Sequence, residues 1–202
     1  DPVRARLERA LIDHKARIEA VAVEVRDPDA APFVRGFPFV PGGNDVDLAL
    51  AEAGARRFAD AVAEVIGRPA SPEQTTAWGS FIGALIHDLN FVRNFLPEDL
   101  TVEAGFIGMA GLQVGLHLRT PDGVLARMTH TQVPHTADYQ ELVTFYTTSG
   151  VFEVVFPAPY LLHATTPLRH YTVKDAEHSG RVESLNDSVD EAFELELHSF
   201  AA

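Results

Sequence analysis

The 202-residue chain contains no cysteine. That absence excludes a disulfide framework, thiolate zinc sites and a cysteine nucleophile, while leaving the compartment open. Positive charge is scarce: 16 Lys and Arg stand against 29 Asp and Glu, a formal net charge of −13. Affinity for nucleic acid or an anionic membrane rests largely on Lys and Arg neutralising phosphates. No dense basic run offsets the deficit, so neither partner is expected. No stretch approaches the roughly 18 consecutive apolar residues of a membrane span, and no signal-peptide pattern opens the chain. A cytoplasmic location is the default expectation. The first residue is Asp1 rather than Met, which suggests a fragment or a processed chain. The nine histidines show no recognisable metal-ligand spacing, although His130 and His135 flank one loop and His163 and His170 another. No metal site is expected.

What is present suits one folded unit over residues 1–202, with 46% hydrophobic and 22% charged residues. Pro2 to His14 reads as a short surface helix, with Leu7 and Leu11 four apart among charges. Ile18 to Arg26 alternates with high β-branched content and reads as a strand. Asp27 to Asn44 holds four prolines and three glycines and is expected to be a long loop pinned by Phe33, Phe37 and Phe39. Two helices follow. Asp45 to Ile66 is stopped by Gly67 and Pro69, and Ser71 to Leu96 opens with a cap-like Ser71-Pro72-Glu73. In the second, Trp78, Ile82, Leu85, Leu89, Val92 and Leu96 recur at spacings of three and four, forming one apolar stripe.

From Thr101 the period changes to two. Leu112 to Arg119 and Val124 to Val133 predict a hairpin about Thr120-Pro121-Asp122-Gly123. Gln140 to Thr147 and Val151 to Phe156 predict a second about Thr148-Ser149-Gly150, and Arg169 to Lys174 a further strand. Asn186-Asp187-Ser188 would cap a last helix bearing Val189, Phe193, Leu197 and Phe200. The order implies an α+β fold: an open, mostly antiparallel sheet with helices on one face.

The chemistry concentrates on the helix Ser71 to Leu96. Opposite its apolar stripe lie Gly83, His87, Asn90 and Asn94, spaced four, three and four. Imidazole suits proton transfer near neutral pH, and carboxamides orient hydroxyls or carbonyls. The competing reading is a solvated back face. Such faces usually carry Lys, Glu and Arg, whereas this strip is compact and uncharged. Tyr160 and His163, beyond a strand end, are further substrate-facing candidates; Pro157 to Tyr160 equally suits packing at the sheet edge. Arg119 and Arg127 read as solvated cross-strand neighbours. Ser80, Ser149 and Ser188 lack any nucleophile-elbow context.

The run Gly83-Ala-Leu-Ile-His87-Asp-Leu-Asn90-Phe-Val-Arg93-Asn94-Phe-Leu96 resembles a helix of the Gfo/Idh/MocA oxidoreductases, whose pattern is roughly D-x-x-x-H-x-x-D-x-x-R-x-x-L. The stretch Tyr139 to Tyr160, including ELVTFYTTSGVFEVVFPAPY, is similar to the family's strand–turn–strand and Pro-rich loop. Asp1-Pro2 resembles the start of its second domain, and Phe193 to Phe200 its closing helix.

The resemblance implies a substrate-binding and oligomerisation domain of an NAD(P)-dependent enzyme acting on a carbohydrate- or polyol-like compound. It gives His87 the acid/base role, with Asn90 and Arg93 as neighbouring substrate or structural positions. Asn94, Tyr160 and His163 complete the expected substrate set. NAD or NADP would be bound mainly by the chain's own Rossmann domain, and homo-oligomers would form through the sheet face. Two positions depart from the pattern: Gly83 replaces its first acidic residue and Asn90 its second. No Gly-x-Gly-x-x-Gly or Glu-Lys-Pro occurs, so this stretch by itself is expected to be inactive. Two alternatives stand beside this reading: a non-catalytic binding or assembly module, and a stand-alone cone-shaped α+β enzyme with His87 in a closed pocket.

Overall fold

The computed structural model describes residues 2–28, 47–159, 161, 164–173 and 180–185. Helix α1, Pro2–Asp13, buries Val3 and Leu7. Strand β1, Ile18–Pro28, follows after a tight turn. Helix α2, Leu48–Ile66, starts at Asp47, whose side chain accepts from the Ala49 amide, and ends at Gly67 in the left-handed conformation. Helix α3, Pro72–Ser80, opens with a full capping box: the Ser71 hydroxyl accepts from the Gln74 amide, and the Gln74 side chain accepts from the Ser71 amide.

The expected single helix from Ser71 to Leu96 is interrupted. Phe81–Leu85 forms a π-helical turn, and α-helix resumes as α4, Ile86–Arg93. A π turn inserts a residue and rotates everything after it relative to what precedes it. The apolar stripe is broken accordingly. Ile82, expected inside, is 43% exposed, while Leu85, Phe91 and Val92 are buried and Asp88 is buried with them.

Strands β2 (Thr101–Gly108), β3 (Gln113–Arg119), β4 (Leu125–Val133), β5 (Gln140–Thr147), β6 (Gly150–Phe156), β7 (Leu168–Val173) and β8 (Gly180–Leu185) complete one sheet, in the order β2-β3-β4-β1-β5-β6-β7-β8. Both expected hairpins form. β1 pairs parallel with β4, and every other neighbouring pair is antiparallel. The fold is α+β with an open, mostly antiparallel sheet. Sequence periodicity singled out neither β2 nor β8 as a separate strand. The expected closing helix after Asn186 and most of the Asp27–Asn44 loop lie outside the described residues.

Register explains where the core sits. One row crosses the sheet through Leu118, Ala126, Val21, Phe145, Phe152 and His170, all buried. The next runs through Leu116, Met128, Val23, Val143, Val154 and Leu168. Val3 and Leu7 of α1, Ala77 of α3 and Leu85, Phe91, Val92 and Leu96 around α4 pack against these rows. Aromatic edges fasten α4: the Phe91 ring centroid lies 6.4 Å from that of Phe145, and the Phe95 centroid 5.2 Å from Phe145. The opposite face carries the polar row His117, Arg127, Ala22, Thr144, Glu153 and Arg169.

Candidate functional site

The third row of the helix-covered face differs from the first two. It runs Val114, His130, Val25, Glu141 and Phe156, so an imidazole and a carboxyl flank a buried valine. β-strand parity forces this: His130 shares the face of Ala126 and Met128, and Glu141 that of Val143 and Phe145. Asp27 lies two residues past Val25 on β1, and Tyr139 lies just before β5. α4 is laid over this end of the sheet and brings Asp88 down onto it, 3% exposed.

These groups interact. The Tyr139 hydroxyl donates to Glu141 Oε2. Asp88 lies near enough to Glu141 to feel its charge. His130 Nε2 stands 3.5 Å from Asp27 Oδ2. Asp88 Oδ1 is buried with no donor bonded to it. Among the described residues, no group of three or more His, Asp or Glu is placed to hold a metal ion.

Burial sets the electrostatics. It pushes Asp88 up to about 8, and the Glu141 charge pushes the same way. Burial also raises Glu141, against the hydrogen bond from Tyr139 and the attraction of His87, which lower it. Tyr139 is pushed above the ordinary phenol range by burial and then by the Glu141 charge. His130 is held below the ordinary imidazole value by burial, with Asp27 opposing. Burial and a neighbouring carboxylate both disfavour ionisation of Asp88, so it keeps its proton to higher pH than an ordinary carboxyl.

His87 is exposed at the start of α4, next in sequence to Asp88 and two residues past the π turn. Asn90, Arg93 and Asn94 are exposed on the same short helix. A Cβ at Gly83 would meet nothing within 4 Å, so the space one turn before His87 is open. The Asn94 amide is engaged locally: it donates to the carbonyls of Asn90 (2.8 Å) and Phe91 (3.1 Å), and its oxygen accepts from Arg4 at 3.1 Å. Tyr160 and His163 lie outside the described residues. Arg119 is paired with Glu103 across β2 and β3.

The arrangement is an exposed imidazole next in sequence to a buried carboxyl, Asp88, over a sheet row that carries His130 and Glu141. Solved structures resemble the chain in fold. Over its whole length the chain superposes on KijD10, a 3-ketoreductase from Actinomadura kijaniata solved with NADP, at TM-score 0.53 and 13% identity, covering 48% of that chain. The fold is shared with about half of a ketoreductase. Two further structures align with TM-scores below 0.5. UDP-N-acetylglucosamine 3-dehydrogenase from Acidithiobacillus ferrooxidans aligns over 98% of this chain and 51% of its own, at TM-score 0.43 and 13% identity. D-galactose-1-dehydrogenase from Rhizobium etli aligns over 74% and 39%, at TM-score 0.39 and 13% identity. The chain therefore spans about half the length of the ketoreductase it matches. No protein-family model and no curated protein matches it.

Sequence reasoning placed His87 and its exposed neighbours but passed over Asp88, Glu141, Tyr139 and Asp27. A signal for Glu141 was present: a carboxylate on the buried parity of an otherwise apolar strand. Asp88 carried a weaker one, lying three residues after Leu85 and four before Val92.

Proposed function

We propose that this chain is the substrate-side domain of an NAD(P)-dependent oxidoreductase acting on a carbohydrate- or polyol-like compound. His87 is its acid/base. One observation carries the reading: the imidazole is exposed at the head of α4 with open space at Gly83 beside it and ionisable groups buried beneath it. The fold shared with a 3-ketoreductase solved with NADP supports it.

The described residues do not fit a dinucleotide. They hold no Gly-rich strand–turn–helix to cradle a pyrophosphate, and the net charge of −13 opposes phosphate binding. The cofactor's place is in a Rossmann domain of the same protein, and the hydride step is not this chain's work. Its own part is proton transfer. A substrate hydroxyl brought to His87 loses its proton to the ring as it becomes a carbonyl, and a carbonyl gains one in the reverse direction. Asn90 and Arg93 on the same helix, with Tyr160 and His163 further along the chain, orient the substrate. Self-association uses the polar face of the sheet.

The test is made on the full-length protein, screening hexoses, polyols and nucleotide sugars by the absorbance of reduced nicotinamide. His87→Ala is expected to lower kcat by roughly 10² to 10⁴, the usual effect of a lost general acid/base, while substrate still binds. Unchanged turnover overturns the assignment. Substrate binding with no turnover in the unsubstituted protein favours the non-catalytic binding module, to which the open space at Gly83 is the pointer.

A further inference from the structure

We infer that Ile82 determines substrate specificity at this site: it offers the ligand an apolar surface one turn before His87, so the compound taken carries a methyl or methylene group there in place of a hydroxyl. The inference deepens the acid/base reading of His87 and rests on it.

The π turn brings Ile82 into place. At Phe81–Leu85 the helix is closed by a bond spanning five residues, the Ile86 amide donating to the Phe81 carbonyl. In uninterrupted α geometry, residues five apart point about 140° from each other. Ile82 would then face away from His87 and join Leu85 in the buried stripe. Across a five-residue turn, such residues come round to the same side of the helix. Exposure follows that rotation. Leu85 is fully buried, whereas Ile82 is 43% exposed and His87 is exposed. Single π turns inside α-helices recur at functional sites, where they re-aim a side chain at some cost in backbone regularity.

Side chains one helical turn apart stand about 5–6 Å from each other, so a hexose whose carbinol reaches the His87 ring extends, with its substituents, over the residues one turn to either side. On the C-terminal side stand Asn90 and Arg93, both polar and exposed. Asn94 is engaged elsewhere: its amide donates to the carbonyls of Asn90 (2.8 Å) and Phe91 (3.1 Å), and its oxygen accepts from Arg4 at 3.1 Å. On the N-terminal side stand Ile82 and Gly83. A Cβ at Gly83 would meet nothing within 4 Å, so there is room for a ligand beside Ile82. Residues 74–87 include no Asp, Glu, Lys or Arg, and Asp88 is buried at 3% exposure rather than offered on this face. A hydroxyl pressed against Ile82 would lose its water and gain no partner from this segment, whereas a methyl group there buries apolar surface on both sides of the contact. The helix thus presents a two-sided surface, polar towards Asn90 and Arg93 and apolar towards Ile82.

The experiment uses the full-length protein with NAD and NADP and sugars offered in pairs that differ by one hydroxyl: D-glucose against 2-deoxy- and 6-deoxy-D-glucose, and D-galactose against D-fucose. In at least one pair, kcat/KM for the deoxy member is expected to exceed that of its parent by about 10- to 100-fold, the range over which an apolar contact disfavours an added hydroxyl. Ile82→Asn gives that hydroxyl a partner and is expected to cut the ratio by about tenfold or more, chiefly through KM. Ile82→Val keeps the apolar surface and is expected to keep the preference. Ile82 is an exposed side chain, so neither replacement threatens the fold. A preference below about tenfold in every pair overturns the inference. So does a ratio that Ile82→Asn leaves unchanged, which would mean that Ile82 is covered by a neighbouring domain or a second copy rather than by substrate. The acid/base reading fails separately, by turnover that His87→Ala leaves unchanged.

Discussion

The rings of Phe91 and Phe156 meet at 88°, their centroids 5.2 Å apart. This contact ties α4 to β6 at the same end of the sheet as Glu141, since Phe156 pairs with Glu141 in register. The position of Asp88 and His87 therefore depends on an aromatic wedge rather than on the polar groups themselves.

Phe91→Ala is expected to cost about 3–5 kcal/mol of stability, because a large ring leaves a cavity the sheet cannot fill. Denaturant unfolding checks it. Loss of the α4 anchor should also lower turnover in the variant that remains folded. Stability unchanged within about 0.5 kcal/mol would show that α4 is held by other contacts.

Asp88→Asn should change how stability depends on pH. Asp88 is raised by burial to about 8 against an unfolded value of 3.8, so between these the native state binds more protons than the unfolded one. Its contribution is full below the unfolded value and is lost as pH climbs towards 8. The melting temperature of the variant should therefore gain on that of the unsubstituted protein between pH 5 and pH 9. A gap constant over that range would contradict the raised native value of Asp88.

His130 should act in the opposite sense. Burial lowers it below 6.5, so in mild acid the unfolded chain takes up a proton that the native state refuses. Stability is present above 6.5 and is lost as pH falls through the lowered native value. His130→Leu should flatten the acidic limb of a melting-temperature profile between pH 7 and pH 5. An acidic limb as steep as before would place the titration elsewhere.

Gly150 turns the β5–β6 hairpin at φ 130°, and a Cβ there would lie 2.3 Å from the Tyr171 carbonyl oxygen. Gly150→Ala combines a forbidden backbone region with a backbone clash and should destabilise by roughly 2 kcal/mol or more. Thermal unfolding reads it directly. A shift below about 1 °C would mean that the β6–β7 contact gives way freely.

Much of the architecture was legible because it is local. Ser71 and Gln74 cap α3 through bonds spanning three residues, and Gly67 ends α2 by its own backbone freedom. Alternation along β3 to β6 encodes which side chains face the helices, and both hairpins follow from their turns. His87 was singled out because Gly83, Asn90 and Asn94 recur with it at helical spacing. β2 escaped periodicity because it lies at the sheet edge with nearly all its residues exposed, so neither face is marked apolar.

The chain's own order of residues determined the helices, the hairpins, the inward parity of His130 and Glu141, and an imidazole on the outer side of a helix. Tertiary structure alone decided that β1 lies parallel to β4 and that a π turn leaves Ile82 exposed. The reason is physical. Caps, turns and periodicity are energies between near neighbours, whereas which side of a helix is covered depends on how it is wedged against a sheet, and no local pattern encodes that angle.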